Sequence, residues 1–253
     1  MGGCSGMGWP GLSAHPGAGS ACSVQPVWQH HNPGMQRRTA VKTISLPLSA
    51  SAFAADAADS ALVEAAARGD LATVRKLLDA GTPVEQRDAR GRTPVLAATA
   101  GNHLALVQLL IERGANVNAQ DDQRDSAFLL AGASGYTGIV RATLAAGADL
   151  NSTNRYGGTA LIPACHHGHV DTVRLLLTTA ISVDHVNNLG WTALLEAVIL
   201  GAGGPAHTEI VRMLIARGAN INLGDAQGIT PLQHALQRRQ DKVAQLLRAA
   251  GAR

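Results

Sequence analysis

The densest run of side chains able to do chemistry is Cys165-His166-His167-Gly168-His169. Thiolate and imidazole are the usual protein ligands of zinc. A metal site here would use His166 and His167, with His185 or His207 as further donors. Helical geometry argues against it, because neighbouring residues on a helix point about 100° apart and His166 and His167 cannot both align with Cys165. Catalytic patterns are missing as well. The chain has no Gly-x-Ser-x-Gly elbow and no His-Glu-x-x-His helix. The glycine-rich stretch Gly201 to His207 lacks the Gly-Lys-Ser/Thr ending of a phosphate loop. Carboxylates such as Asp184 and Glu196 are scattered singly along the chain. The expectation is therefore no catalysis, no cofactor and no metal.

Composition points to the kind of scaffold that must carry these residues. Aromatic residues make up only 3% of the 253-residue chain, while small aliphatic residues abound. A single globular core usually draws on large rings for buried area, whereas thin stacked layers can be built from many small contacts. The excess of 21 Lys plus Arg over 18 Asp plus Glu comes entirely from Arg37, Arg38 and Lys42, which precede the first acidic residue, Asp56. From Asp56 onward the chain is neutral, so its basic balance is no evidence for a nucleic-acid or phospholipid surface. Of the cysteines Cys4, Cys22 and Cys165, only the last lies beyond the leader, which excludes an internal disulfide there. No apolar run approaches the ~18 residues of a membrane span.

The elements that position the candidate residues repeat. Asp88, Asp121, Asn154 and Asn187 stand 33 residues apart, and Asp225 follows 38 later, after a five-residue insertion. Four of the five open a similar phrase: Asp88-x-x-Gly91-x-Thr93-Pro94-Val95, Asn154-x-x-Gly157-x-Thr159-Ala160-Leu161, Asn187-x-x-Gly190-x-Thr192-Ala193-Leu194 and Asp225-x-x-Gly228-x-Thr230-Pro231-Leu232. Later come Val107-x-x-Leu110, Val173-x-x-Leu176 and Val211-x-x-Leu214. Units close with Gly114-Ala-Asn, Gly147-Ala-Asp and Gly218-Ala-Asn. Asp or Asn with Gly three places on makes a tight turn. Thr93 and Thr230 then cap a helix, with Pro94 and Pro231 at its first position. Ala97-Ala98, Ala164 and Ala197 keep that helix thin, and a second helix carries Val and Leu on one face.

This pattern resembles the ankyrin repeat, a 33-residue turn–helix–helix unit. It covers Asp88 to Arg253 in five units, and a divergent unit with Val74-x-x-Leu77-Leu78 and Gly81 precedes them as a cap. The resemblance implies an all-α solenoid of about six stacked repeats, at about 55–87, 88–120, 121–153, 154–186, 187–224 and 225–253. It also implies that the chain binds another protein. In detail the second half looks like a group of bacterial, often exported, ankyrin proteins. There are departures. The His that follows Thr-Pro-Leu in the family is replaced by Leu96, Leu129, Ile162, Leu195 and Gln233, so a hydroxyl–imidazole network is expected to give way to apolar contact. Arg124 stands for the turn glycine of the third unit, which predicts a strained or reshaped turn. Ala180 replaces the closing glycine of the fourth, at a cost of about 1 kcal/mol if positive φ is kept. The middle of the array is expected to be its least ideal part.

The resemblance places the partner surface on the turn tips and the open side of the first helices. Mapped onto this chain, the tips supply Arg90, Arg92, Asp122, Gln123, Asp125, Arg155, Tyr156, Asn188, Leu189 and Trp191, and the helix side supplies His166, His167 and Gln237. Tyr156 and Trp191 draw notice, because a stacked core has no use for large rings at variable tip positions, and exposed Trp, Tyr and Arg are the usual make-up of a binding hot spot. His103 and His169 precede second helices, where the family uses His structurally.

Residues 1–34, rich in Gly, Pro, Ser and His, read as a disordered extension or as sequence upstream of a true start at Met35. Residues 35–55 combine Arg37-Arg38 and Lys42, a weakly apolar run and a small-x-small site at Ala52-Phe53-Ala54-Ala55. That grammar resembles a twin-arginine export signal cleaved near Ala54 or Ala55, with residues 56–253 as the repeat domain. The expectation is a periplasmic, monomeric protein-binding adaptor. A cytoplasmic regulator or secreted effector is the alternative if the leader is an uncleaved Ala/Ser-rich linker.

Overall fold

The computed structural model describes residues 60–253, and no strand occurs among the described residues. The leader and its cleavage site lie outside them. Helices follow in pairs: α1 (60–67) with α2 (Leu71–Asp79), α3 (Pro94–Ala100) with α4 (Leu104–Glu112), and α5 (Ala127–Ser134) with α6 (Thr137–Ala145). Then come α7 (Leu161–His166) with α8 (Val170–Leu176), α9 (Ala193–Ile199) with α10 (Pro205–Ala216), and α11 (Pro231–Gln237) with α12 (Asp241–Ala249). First helices pack on first helices from α3 through α11, and second helices on second helices from α4 through α12, which makes two stacked layers.

Side-chain size sets the stacking distance. Ala98, Ala131, Ala164, Ala197 and Ala235 recur at one register of the first helices and are fully buried. At another register Val95, Phe128, Leu161, Leu194 and Leu232 fill the core. At Gly132 in α5 an added Cβ would lie 2.8 Å from the Ala160 Cβ, so that position has no room for a side chain.

Four first helices are capped by a hydroxyl: Thr93, Ser126, Thr192 and Thr230 each accept from the amide three residues on. Thr159 does not, and Pro163 explains why. In the other units the residue at the Pro163 position donates its amide to the cap carbonyl, as Glu196 does to Thr192 at 2.9 Å. Proline has no such donor. The turn tightens, Ile162 donates to the Thr159 carbonyl instead, and the buried Thr159 hydroxyl is left without a partner among the described residues.

The two irregular positions in the sequence resolve differently. Arg124 takes φ +60°, so its turn keeps the common shape and carries the strain. Arg124→Gly is therefore expected to raise stability by about 1 kcal/mol, read as a shift in urea midpoint at unchanged m-value. Ala180 does not take positive φ, so the expected penalty does not arise. Instead α8 ends early and unwinds through Thr178 and Thr179, whose hydroxyls bond the Leu175 and Leu176 carbonyls. Arg217 of the next unit takes the Leu177 and Thr179 carbonyls. The helix end is satisfied without glycine.

Side chains at the start of three second helices, His103 before α4, His207 in the first turn of α10 and Gln240 before α12, tie one unit to the previous one. His103 lies 3.3 Å from the Ala67 carbonyl, His207 lies 2.8 Å from that of His166, and Gln240 donates to Val198 and Gly201. The insertion at 201–207 is only partly a loop, because α10 begins at Pro205 and so takes up its end.

Candidate partner-binding surface

The tips are held by one device used five times. The Oδ1 of Asp88 accepts from the amides of Arg90 and Arg92, each at 2.9 Å. Asp121, Asn154, Asn187 and Asp225 repeat this with the amides two and four residues on. Two pairs of neighbouring tips are linked through the backbone, Asp122 to Arg90 at 3.2 Å and Asn188 to Tyr156 at 2.9 Å. The side chains that project from the tips are thus set on a rigid row.

What they present is less uniform than the sequence suggested. Arg90, Asp122, Gln123, Asn188 and Leu189 are exposed, Leu189 by 51% and Tyr156 by 38%. Trp191 is only half-buried rather than solvent-facing. Arg92 is turned inward onto Asp88, with ion-pair contacts at 2.7 Å. Asp125 is half-buried, and burial together with Asp121 pushes its carboxyl up to about 6, against the pull of Arg155. Arg155 bonds Gln123 and lies 4.9 Å over the Tyr156 ring, a cation–π arrangement. Among the tips Tyr156 and Leu189 therefore form the open apolar pair.

Below the tips, on the first-helix side, lies a polar cluster absent from the sequence reading. Glu196 in α9 is 6% exposed and its Oε1 accepts from the Asn187 side-chain amide at 3.0 Å. His166 stands with Nδ1 3.6 Å from the other carboxyl oxygen and stacks on exposed His167 at 4.2 Å. Burial pushes the Glu196 carboxyl up to about 7. Burial first, then the neighbouring His167 and His207, holds His166 down to about 4. Between those values the carboxylic acid faces a neutral imidazole. In the last unit His234 occupies the place of Glu196 and bonds Asp225 at 2.8 Å, and Gln233 completes a reciprocal cap with Thr230. The expectation of purely apolar contact here was wrong, because the residue one position after the missing family His reaches back to the turn.

The metal reading gains nothing. His185 and His207 are engaged with the carbonyls of Gly157 and His166, and no group of three potential ligands is gathered among the described residues. Cys165 is fully buried, and burial raises the pKa of its thiol well above the ordinary value. It behaves as a small core residue.

The family model for ankyrin repeats (three copies) matches residues 40–121, 62–154 and 128–225. The chain belongs to the ankyrin-repeat family. Among solved structures, an ankyrin repeat domain from Acinetobacter baumannii AYE is 51% identical with a TM-score of 0.74, covering 77% of this chain and all of that one. EF0377, an ankyrin repeat protein, is 39% identical with a TM-score of 0.72, over 75% of this chain and 96% of its own. The ankyrin repeat domain of Bcl-3, a member of the IkappaB family, is 27% identical with a TM-score of 0.68, over 76% and 86%. YahD of Escherichia coli (strain K12) is 46% identical over 57 residues, spanning 22% of this chain and only 28% of YahD. Ankyrin repeats generally mediate protein–protein binding and are typically not enzymes. No helix among the described residues is long and apolar enough to cross a membrane.

Proposed function

We propose that this ankyrin array is an exported adaptor that holds a periplasmic or envelope protein against its turn tips and the adjoining first-helix side. The observation that carries the binding face is the open pair Tyr156 and Leu189, set on tips already ordered by the repeated Asp/Asn turn. Pre-ordered tips lose little further entropy on association, and an aromatic next to an arginine, Arg155, is a common energetic centre. Export is read from Arg37-Arg38, Lys42 and the Ala52–Ala55 stretch, and the array is taken as a monomer.

The test is affinity capture by the full chain from separated periplasm and cytoplasm, with the intact mass of the recovered bait. Bait recovered from periplasm and beginning near Ala55 or Asp56 supports export. A partner whose affinity falls at least about tenfold with Tyr156→Ala/Leu189→Ala supports the face. Bait that stays cytoplasmic with its leader, or a partner indifferent to the double substitution, overturns the corresponding half.

A further inference from the structure

Glu196 is a carboxyl whose setting is only half completed by this chain. Ala97, Leu130 and Pro163 hold the equivalent place in the second, third and fourth units, and the last unit places His234 there with Asp225 as its partner. Glu196 alone brings a potential negative charge. Its side chain keeps just 8% of its surface open, and among the described residues no lysine or arginine pairs with it. The Asn187 amide satisfies Oε1. The other oxygen has only the His166 nitrogen at 3.6 Å, which is longer than a hydrogen bond. Other carboxylates do have cations in contact, as Asp79 has Arg113 at 2.9 Å and Asp88 has Arg92 at 2.7 Å. Removing a carboxylate from water without a counter-charge is costly, and burial accordingly drives Glu196 toward its neutral form. An arriving cation would reverse that, since a charge-assisted hydrogen bond to a sheltered carboxylate is among the stronger polar contacts.

We propose that Glu196, oriented by Asn187 and flanked by the stacked His166 and His167, is the anchor for a lysine or arginine side chain of the protein partner. This rests on the binding face proposed above and adds the chemistry it selects: an apolar contact at Tyr156 and Leu189, and a basic side chain reaching past the tips to α9. His166 is a positioning residue in this arrangement, because its neutral ring borders the open oxygen and can give way to a stronger donor. The place of Glu196 beneath the tips suits the long stem of Lys or Arg, which can lie along apolar surface while its head is paired.

A random linear peptide library displayed at pH 8 and selected on the full chain tests this, with Glu196→Gln and Tyr156→Ala/Leu189→Ala as parallel baits. The glutamine keeps an oxygen for the Asn187 amide while removing the charge and placing an NH2 where the second oxygen was, and far-UV circular dichroism checks that each bait is folded. Enriched peptides that carry Lys or Arg, and that lose at least about tenfold in affinity on Glu196→Gln or when that residue is changed to norleucine, are the expected result. Peptides without a basic residue, or basic peptides that bind the glutamine variant equally well, overturn the anchor. If such peptides are still lost on Tyr156→Ala/Leu189→Ala, the binding face survives while the anchor fails. Peptides that bind all three baits alike overturn both.

Discussion

Phe128→Ala is expected to destabilise the array by about 3–5 kcal/mol, the usual cost of emptying a ring-sized site in a well-packed core. Phe128 is fully buried in α5, at the register filled elsewhere by Val95, Leu161, Leu194 and Leu232. The loss should be concentrated in the third unit and its neighbours, because stacked repeats support one another only through adjacent interfaces. Hydrogen exchange resolved by segment, alongside urea denaturation, would show protection falling first between α3 and α8. Phe128→Leu should cost less than about 1.5 kcal/mol, since aliphatic side chains already serve this layer in every other unit and the volume change is smaller. Equal effects from the two substitutions would mean that the ring itself, rather than buried volume, holds the layer.

Glu196→Gln is expected to stabilise the array at alkaline pH and to leave it nearly unchanged in acid. The folded-state carboxyl titrates at about 7 instead of 4.5 because of burial, so the folded chain binds its proton more tightly than the unfolded chain does. Stability from this group is complete below about 4.5, falls as pH rises from 4.5 through 7, and stays reduced above that. The shift corresponds to roughly 3 kcal/mol. The glutamine removes this decline, so the difference between the two proteins should grow from near zero at pH 4.5 toward that value at pH 8. His166 acts in the opposite sense. Its folded-state value is lowered from 6.5 to about 4, so the unfolded chain binds the extra proton and stability rises with pH across that interval. In the unaltered protein the two slopes offset each other between about 4.5 and 6.5. In Glu196→Gln the histidine slope should emerge. Urea midpoints at half-unit pH steps read both effects, and parallel curves for the two proteins would show that Glu196 is not held as its surroundings imply.

Glu196 also marks where reading the chain in one dimension failed. Asp184 and Glu196 look alike in sequence, both isolated carboxylates in a repeat unit. Asp184 lies between units with its Oδ1 accepting from the Asn220 amide at 2.8 Å, whereas Glu196 is folded against Asn187, nine residues earlier, with His166 of the preceding unit beside it. A signal was available. The residue nine places after each turn Asp or Asn falls on the side of the first helix that faces its own turn, and only Glu196 and His234 are polar there. Trp191 failed in the other direction. Its tip position suggested an exposed ring, but how far a side chain at a tip folds back depends on the neighbouring turns, which local sequence does not describe.

By itself the sequence determined the repeat length, the turn at each Asp or Asn, the capping of α3 by Thr93 and of α11 by Thr230, and the thin alanine face that allows stacking. These are decided by contacts within one turn or one helix, so local residue types suffice. It also marked Arg124 and Ala180 as irregular. Whether each irregularity would be borne as strain or relieved was decided only in three dimensions. Arg124 is kept at positive φ, because Asp121 holds the tip on both sides with bonds to Gln123 and Asp125. Ala180 escapes it, because the hydroxyls of Thr178 and Thr179 and the Arg217 guanidinium of the next unit satisfy the carbonyls that a glycine turn would otherwise serve. The difference lies in partners supplied from another repeat, and those come within reach only when the units are stacked.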